Sequence, residues 1–400
     1  MTRSRIFTKA ITALVIALVI IFPANLYSEK LIDQDFDITL DLPEDFIEAE
    51  HTPDGFSYRF AHRFMAVSFL YKLYPMGQFQ TSSQALTTTL GRLGASYQND
   101  SFVWANADCS IANFSMTFQG SSNGAKGWAI SVQLKEKEAS LVLLCYADSD
   151  KADDCQQFII SCLNSLTINE ESKLCPGIFT SYAFPADKSL EAKRITLNIA
   201  GKQIQTQIDQ VDKEASAFVR DCEFAVFSLY ASHEKWLEAW KRYYQTIYRD
   251  SYSRMKVPAD HIHQALYQTA KQQNSKNPDA AYNKMLLNWV QGFDYIRNTS
   301  AKKSDFTTPS EILCGNGSDC DARSMLLCTL LEHAGIDCTL FVSREYKHSV
   351  YGALINQEGA KIQVGQNWYL LGETTAKNIN PGLIVQDQRD TKKWIPVPLP

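Results

Sequence analysis

Several features that would assign this chain to a class at once are absent from its sequence. The formal net charge is only −5 over 400 residues, so nothing favours nucleic acid or anionic lipid, both of which attract clustered Lys and Arg. No Cys-x-x-Cys pair occurs among the ten cysteines, which argues against a thioredoxin-like motif or a zinc ribbon. No internal repeat is visible, and nothing beyond the N-terminal region is long and apolar enough to span a bilayer. We therefore expect no nucleic-acid partner and no membrane span in the mature chain.

The N-terminus carries an export pattern. Arg3, Arg5 and Lys9 precede an apolar run from Ala10 to Phe22, and small and polar residues follow as far as Ser28. This order predicts a secretory signal peptide over residues 1–28 and an extracytoplasmic protein, periplasmic or secreted. The alternative is an uncleaved anchor, but the run is shorter than the roughly 20 apolar residues of a membrane span.

The length predicts several domains, because one hydrophobic core rarely organises more than about 250–300 residues. Strand-like and helical patterns alternate irregularly, so we predict an α+β, multidomain protein. The predicted units are a signal peptide (1–28), an N-terminal α+β sandwich (29–168), a middle β/helix region (176–256) and a C-terminal α+β domain (257–400).

The N-terminal unit has strand patterns followed by an amphipathic helix, Asp153–Leu166, which places Cys155 and Cys162 in the core as buried thiols. Its opening "FDITLDLPEDF" and its closing "LLCYADSD" and "CQQFIISCLNSL" loosely resemble the PsbP-like sandwich fold. That resemblance implies a sheet packed with helices, and we interpret the unit as a structural or targeting domain.

The middle region predicts strands near Arg194–Ile199, Gln203–Ile208 and Ala217–Ser228, then a helix over about Glu234–Tyr252. Six aromatic and apolar side chains recur along that helix at helical spacing. Such a stripe is more often core than a platform for glycan or peptide, although both interpretations fit the pattern. A shared metal on the next helix is not expected, because the histidines there lie two residues apart and face different ways.

The C-terminal domain carries the candidate nucleophile. The turn-rich stretch CGNGS precedes Asp319 and Cys320, and apolar residues then repeat every four positions until Gly335, a natural helix stop. Either Ser318 or Asp319 therefore caps a helix whose first turn holds Cys320, where its N–H is a candidate oxyanion donor. The helix terminus favours a thiolate, whereas the carboxylates of Asp319 and Asp321 oppose it. A cationic imidazole would have to compensate.

A base and an acid follow on predicted strands. His348 begins one of them, and Glu373 ends the aromatic strand that starts near Trp368. Cysteine, then histidine, then acid is the order that a papain-like or transglutaminase-like site needs: the thiolate attacks an amide carbonyl, the imidazole exchanges the proton, and the acid orients the imidazole. A zinc site built from the cysteines of this region is disfavoured by their spacings.

The segments "PSEILCGNGSDCDARSMLLCTLLEHAGIDCTLFVS", "KHSVYGALI" and "WYLLGETT" together resemble the bacterial transglutaminase-like superfamily over about Asp279 to Gly382. The resemblance implies a papain-like α+β core, with Cys320 as nucleophile, His348 as base and Glu373 as third member. Two positions depart from the family pattern: Ala322 stands where an acid is common, and Glu373 stands where Asp is more usual.

These patterns predict an exported thiol enzyme that acts on peptide or protein amides through a thioester intermediate. The extracytoplasmic location adds peptide amides of the cell envelope to the expected substrates. Peptidase or amidase activity and cross-linking transglutaminase activity differ only in whether water or an amine resolves that intermediate. The alternative is a catalytically inactive domain of the same fold that serves in envelope binding or assembly. A disulfide-linked envelope protein is a third interpretation. No cofactor or metal is indicated, and the oligomeric state is not predicted.

Overall fold

The computed structural model describes residues 30–117, 124–185, 192–297, 304–315 and 317–400. The predicted signal peptide lies outside these residues. Several sheets and many helices alternate along the chain, which confirms the predicted α+β, multidomain class. Within the described ranges, no helix is both long and apolar enough to cross a membrane.

The N-terminal unit is built on a large antiparallel sheet. Its elements are β1 Lys30–Asp33, β2 Ile38–Asp41, β3 Phe46–His51, β4 Ser57–His62, β5 Val67–Tyr74, α1 Ser82–Arg92, β6 Ser96–Trp104, β7 Ala107–Thr117, β8 Gly124–Leu134, β9 Ala139–Asp148, α2 Gln156–Asn164 and β10 Leu166–Thr167. The strand order in the large sheet is β3-β4-β5-β9-β8-β7-β6, and β1, β2 and β10 form a separate small sheet.

Helices cover both faces of the large sheet. Leu86 and Leu90 of α1 pack on one face, and Phe158 and Ile159 of α2 pack on the other. The central strand β9 is consequently buried on both sides along almost its whole length. This arrangement is the predicted sandwich, and Cys155 and Cys162 are buried in it as predicted.

The middle of the chain is mostly helical. Its elements are α3 Glu170–Lys173, α4 Ile178–Ala183, β11 Lys193–Ile199, β12 Lys202–Ile208, α5 Gln210–Leu229, α6 Trp236–Arg254, α7 Lys256–Gln273 and α8 Pro278–Val290. The predicted hairpin of β11 and β12 is present, and its turn residues Ala200 and Gly201 both have positive φ, as a two-residue hairpin loop requires.

The predicted strand Ala217–Ser228 is wrong, because these residues lie inside α5. Asp209 caps that helix by accepting from the Val211 N–H at 2.9 Å. Its buried side chains, which include Ala215, Ser216, Val219, Cys222 and Val226, recur every three or four residues. The apolar run was therefore one face of a helix rather than the two faces of a strand.

Helix α6 joins the two halves of the molecule. Ala239 near its start packs with the core of the N-terminal unit, whereas Tyr243, Tyr244, Ile247 and Tyr248 pack with the C-terminal core. The interpretation of the aromatic stripe as core is confirmed for these four residues. The two tryptophans at the start of the helix remain half-buried.

The C-terminal domain packs one long helix on a second antiparallel sheet. Its elements are α9 Pro309–Leu313, α10 Cys320–His333, β13 Cys338–Ser343, β14 His348–Ala353, β15 Lys361–Val364, β16 Asn367–Gly372 and β17 Ile395–Pro398. The strand order is β15-β16-β14-β13-β17. Tyr351 and Ala353 share a core with α10 on one face, and Val350 and Trp394 belong to the cluster on the other face.

Candidate active site

Cys320 is the first residue of α10, as the sequence predicts. The helix is capped by Asp319, whose side chain accepts from the Ala322 N–H at 3.1 Å. Asp319 therefore sits at the N-cap position, which favours short oxygen-bearing side chains because helix N-terminal N–H groups lack partners within the helix.

The Cys320 sulfur is buried and belongs to a hydrogen-bonded cluster centred on a carboxylate. Its side chain is 2% exposed, and the thiol donates to Asp321 Oδ1 at 3.0 Å. The Ser349 hydroxyl donates to the same oxygen at 2.6 Å, and the Tyr244 hydroxyl donates to Oδ2. Asp321 thus connects the start of α10 with β14 and α6.

This environment keeps the sulfur protonated. Burial raises the pKa of Cys320 well above its ordinary value, and the negative charge of Asp321 raises it further, although a hydrogen bond with Ser349 acts in the opposite direction. From sequence, the helix N-terminus is expected to lower the thiol pKa and the carboxylates to raise it. In the structure, the carboxylates together with burial outweigh the helix N-terminus. The resting sulfur is therefore a neutral thiol.

The capping carboxylate is also perturbed. Burial and the neighbouring charge of Asp321 raise the pKa of Asp319 to about 8, even though the hydrogen bond from Ala322 lowers it. At neutral pH Asp319 is mostly protonated, so Asp321 is the main source of negative charge beside the sulfur.

His348 and Glu373 form a close pair. His348 Nε2 lies 2.7 Å from Glu373 Oε2, and Thr375 donates to Oε1 from its N–H at 2.7 Å and from its hydroxyl at 2.6 Å. Burial alone would raise the pKa of Glu373, but the hydrogen bond and charge of His348 and the bonds from Thr375 lower it to about 2. Gln291 fixes the backbone here by donating to the Glu373 carbonyl at 2.8 Å.

The structure brings two of the three predicted site residues into direct contact. His348 hydrogen-bonds Glu373, but among the described residues no hydrogen bond joins His348 to Cys320. Successive side chains of a strand point to opposite faces, so Ser349 faces α10 while His348 lies toward Trp394, with ring centroids 6.2 Å apart. Cys320 is instead linked through Asp321 to Ser349, the residue next to His348.

The glycine-rich approach to Cys320 is covered by the chain itself. The Ile296 N–H donates to the Ser318 carbonyl at 3.1 Å, and an added Cβ at Gly317 would overlap the Ile296 side chain. Thr307 donates to the Gly317 carbonyl at 2.9 Å. The glycine at 317 is therefore needed for the close approach of Ile296.

Sequence reasoning missed several residues of this site. Ser349 was not identified. Tyr244 was recognised only as part of the aromatic stripe, and Asp321 only as a charge that opposes ionisation. Arg323 was also overlooked, although a charged residue among the apolar residues of a helix is a readable signal of a buried function. Among the described residues, no group of three or more His, Cys, Asp or Glu side chains is arranged to hold a metal ion.

Comparisons with known proteins leave the family open. No family model matches the chain, and no curated protein matches it. Solved structures that are similar to it include a cyanobacterial protein, a yeast protein and a bacterial protein. The cyanobacterial PsbP protein from Synechocystis sp. PCC 6803 is 8% identical, with a TM-score of 0.30 over 36% of this chain and 95% of that chain. The Ran-binding protein Mog1p of Saccharomyces cerevisiae is 10% identical, with a TM-score of 0.27 over 36% and 96%.

The third structure, a protein from Bacteroides thetaiotaomicron VPI-5482, is 10% identical and has a TM-score of 0.23 over 83% of this chain and 88% of that chain. At these identities and TM-scores, none of the three similarities bears on the family or the activity of this chain.

Proposed function

We propose that this protein is an exported, transglutaminase-like thiol acyl-transfer enzyme that acts on peptide or protein amides. One observation carries the proposal. The predicted base and acid, His348 and Glu373, meet at 2.7 Å, at the end of the sheet where Asp321, the residue after Cys320, hydrogen-bonds Ser349. The contact of the predicted base with the predicted acid, one position from the Ser349 that binds the cysteine segment, supports the proposal.

The chemistry assigns a role to each residue. The Cys320 proton passes to the imidazole of His348, and the sulfur attacks the amide carbonyl carbon to give a tetrahedral oxyanion. The imidazolium returns the proton to the leaving amine, and a thioester remains on Cys320. Water or a second amine then resolves the thioester and releases the sulfur. Glu373 orients the imidazole and stabilises its cation throughout.

The resting hydrogen bond from the thiol to Asp321 implies that substrate rearranges the site. Catalytic hydrogen bonds are often long or misaligned in the free enzyme and form only in the complex. Entry of an amide must displace the thiol from Asp321 and bring the sulfur to His348. The enzyme therefore starts from a neutral thiol and uses general-base catalysis, rather than from a preformed thiolate–imidazolium pair.

A second function is favoured by a different observation. Cys320 is 2% exposed, and its hydrogen bond goes to a carboxylate rather than to an imidazole. Both features suit a non-catalytic domain that keeps the fold for envelope binding or assembly. In that case, the His348–Glu373 pair would serve stability alone.

Site-directed variants separate the two functions. The mature protein is incubated with a peptide mixture and a labelled primary amine, and mass spectrometry follows hydrolysis and amine incorporation. We expect the Cys320→Ser and His348→Ala variants to lose both activities while remaining folded. Cys314→Ser is the control, since Cys314 is a half-buried cysteine whose side chain, among the described residues, makes no hydrogen bond with Cys320, Asp321 or His348.

Two results would contradict the proposed acyl-transfer activity. Activity that survives in Cys320→Ser excludes this nucleophile. Absence of turnover in the wild type, together with a Cys320 that alkylates identically with and without His348, favours the binding function.

A further inference from the structure

Arg323 is a buried cation one turn after Cys320 on α10. It is 1% exposed, and its guanidinium donates to three neutral oxygens: Ser318 Oγ at 3.1 Å, the Thr374 carbonyl at 3.2 Å and the Phe293 carbonyl at 2.9 Å. In the part of the chain that the structure describes, no carboxylate lies within ion-pair distance of it.

A buried cation without an anionic partner is unfavourable, because burial removes its hydration and no opposite charge replaces it. Burial accordingly lowers the pKa of Arg323 below the usual arginine range, while Tyr295, Asp319 and Cys320 raise it when they are ionised. Arginine nevertheless remains protonated at neutral pH. The site therefore holds a fixed positive charge that the folded resting state leaves without a close anion.

The proposed reaction supplies the missing anion. A thiolate, and then a tetrahedral oxyanion, must form beside the negative charge of Asp321 in a buried site, which is unfavourable without a nearby cation. Arg323 lies three residues after Cys320 on the same helix, a spacing that places two side chains on one helix face. A fixed cation there favours negative charge on the sulfur.

The same guanidinium holds the parts of the site together. Through the Thr374 carbonyl it contacts the residue directly after Glu373, and through Ser318 it contacts the loop directly before the Cys320 helix. The Phe293 carbonyl belongs to the segment that covers this loop. One side chain thus fixes the distance between the cysteine segment and the acid segment.

We propose that Arg323 is a positioning residue for acyl transfer, which supports negative charge on the Cys320 sulfur and ties the Glu373–Thr374 segment to the start of α10. The inference rests on the proposed function, but its test needs no substrate. Other charged or titratable groups around the sulfur must be considered in that test; they are Asp319 and Asp321 on α10, Tyr244 on α6, Tyr295 and Arg297 after α8, and His348 on β14.

The test compares two substitutions that separate charge from shape. Arg323→Lys keeps the positive charge but cannot reproduce the forked hydrogen bonds, whereas Arg323→Gln keeps part of the hydrogen bonding and removes the charge. The alkylation rate of Cys320 is measured against pH by site-resolved mass spectrometry. Arg297→Gln is the control, because it removes a cation that is 48% exposed and paired with Asp305.

We expect Arg323→Gln to slow alkylation at pH 8 by about tenfold, which corresponds to a rise of one unit in the thiol pKa. Arg323→Lys should change the rate much less, and Arg297→Gln should leave it near the wild-type value. Thermal unfolding and near-ultraviolet circular dichroism establish that the variants are folded. If the glutamine variant does not fold, Arg323→Met provides a neutral side chain suited to a buried site.

If Arg323→Lys and the neutral variant shift the pKa of the Cys320 thiol equally, the positive charge of Arg323 has no role. If a folded neutral variant leaves that thiol pKa unchanged, the whole proposal is wrong. Failure of the proposed function has a different signature: no turnover with any amide, whatever the thiol titration shows.

Discussion

At the scale of single residues, Asp321 decides the state of the candidate nucleophile. Its carboxylate accepts from Cys320, Ser349 and Tyr244, so the thiol proton is held in a network of three donors. A helix N-terminus lowers a thiol pKa by a limited amount, whereas burial and an adjacent carboxylate both act against ionisation. The folded resting state thus holds Cys320 as a neutral thiol, which is the unreactive form of this side chain.

Replacing that carboxylate should make the thiol more reactive. Asp321→Asn removes the negative charge while keeping an oxygen that can accept a hydrogen bond, so we expect the pKa of Cys320 to fall and its alkylation at pH 7.5 to accelerate by about tenfold or more. Asp319→Asn is the matched control. Burial and Asp321 raise the pKa of Asp319 to about 8, and Asp319 raises the pKa of Cys320 less than Asp321 does, so its substitution should accelerate alkylation less. Equal acceleration in both variants would contradict the role given to Asp321.

Glu373 should make stability depend on pH in the acid range. Its pKa falls to about 2 in the folded protein, against about 4.3 in an unfolded chain. A depressed folded pKa stabilises the protein above the unfolded value, and this contribution is lost as the pH falls toward about 2. We therefore expect Glu373→Gln to destabilise the protein at pH 6, with the difference from the wild type reduced to about half at pH 3 and nearly lost at about pH 2, as measured by urea unfolding at each pH.

The control for this measurement is Glu136→Gln, which removes an exposed carboxylate in a turn. A gap between wild type and Glu373→Gln that is as large at pH 3 as at pH 6 would mean that packing, rather than the ionised pair with His348, accounts for the effect.

The identities of Cys320, His348 and Glu373 as candidates could be predicted from sequence, because each has a local signal: a capped helix start, a strand start and a strand end. Their partners could not. Tyr244 comes from a helix far earlier in the chain and reaches Asp321 only through tertiary packing. The choice of face at the start of β14 was equally hidden, since His348 and Ser349 are adjacent and a shift of one residue exchanges the two faces of a strand.

At the scale of elements, periodicity predicted most strands and helices but failed at α5 and at the two edges of the large sheet. Helix α5 was read as a strand because its apolar residues cluster in a short stretch, although its N-cap, Asp209, was visible. Strands β3 and β6, which lie at the two edges of the large sheet, carry little strand pattern in the sequence. Both expose most of their side chains, so they lack the alternation that marks a half-buried strand.

The end of β16 has no room for a side chain at Gly372. An added Cβ there would overlap the ring of Tyr351, which is buried and donates to Asn283 at 2.7 Å. We expect Gly372→Ala to destabilise the protein by about 1–3 kcal/mol through overpacking, and to displace the neighbouring Glu373. Gly91→Ala in α1 is the control. Its Cβ would meet open space, and alanine favours a helix by about 0.5–1 kcal/mol relative to glycine.

Urea unfolding measures both variants, and the alkylation rate of Cys320 reports on the site. If Gly372→Ala is as stable as the wild type, the close packing of Tyr351 against β16 does not constrain this end of the sheet.

At the scale of the whole molecule, the N-terminal and C-terminal cores are joined through α5 and α6. Arg249 of α6 donates to the carbonyls of Asn164, Leu166 and Ser172. Buried carbonyl groups at the end of the N-terminal unit and just after it therefore receive hydrogen bonds from a helix outside that unit. Cys222 and Val226 of α5 also complete the N-terminal core. Sequence patterns alone could not reveal this sharing, because they identify elements and linkers but not which elements pack across a linker.

The contact between α5 and α6 contains a buried ion pair. Its loss should destabilise both halves of the molecule together. Arg242 of α6 donates to Glu223 of α5 at 2.7 Å, and it also reaches Ser161 of α2 and the carbonyl of Asp41. Arg242→Met leaves the carboxylate of Glu223 buried without its partner, which typically costs about 3–5 kcal/mol.

We expect Arg242→Met to lower the free energy of unfolding by that amount in urea, with the tryptophan fluorescence and the far-ultraviolet signals still changing in one transition. Lys137→Met is the control, since its pair with Asp37 is partly exposed and should contribute at most about 1 kcal/mol. The double variant Arg242→Met with Glu223→Gln should recover part of the loss, because it removes the unpaired charge. Two separate transitions in Arg242→Met would instead mean that the halves fold independently, and that the shared helices α5 and α6 do not couple the candidate site to the N-terminal sandwich.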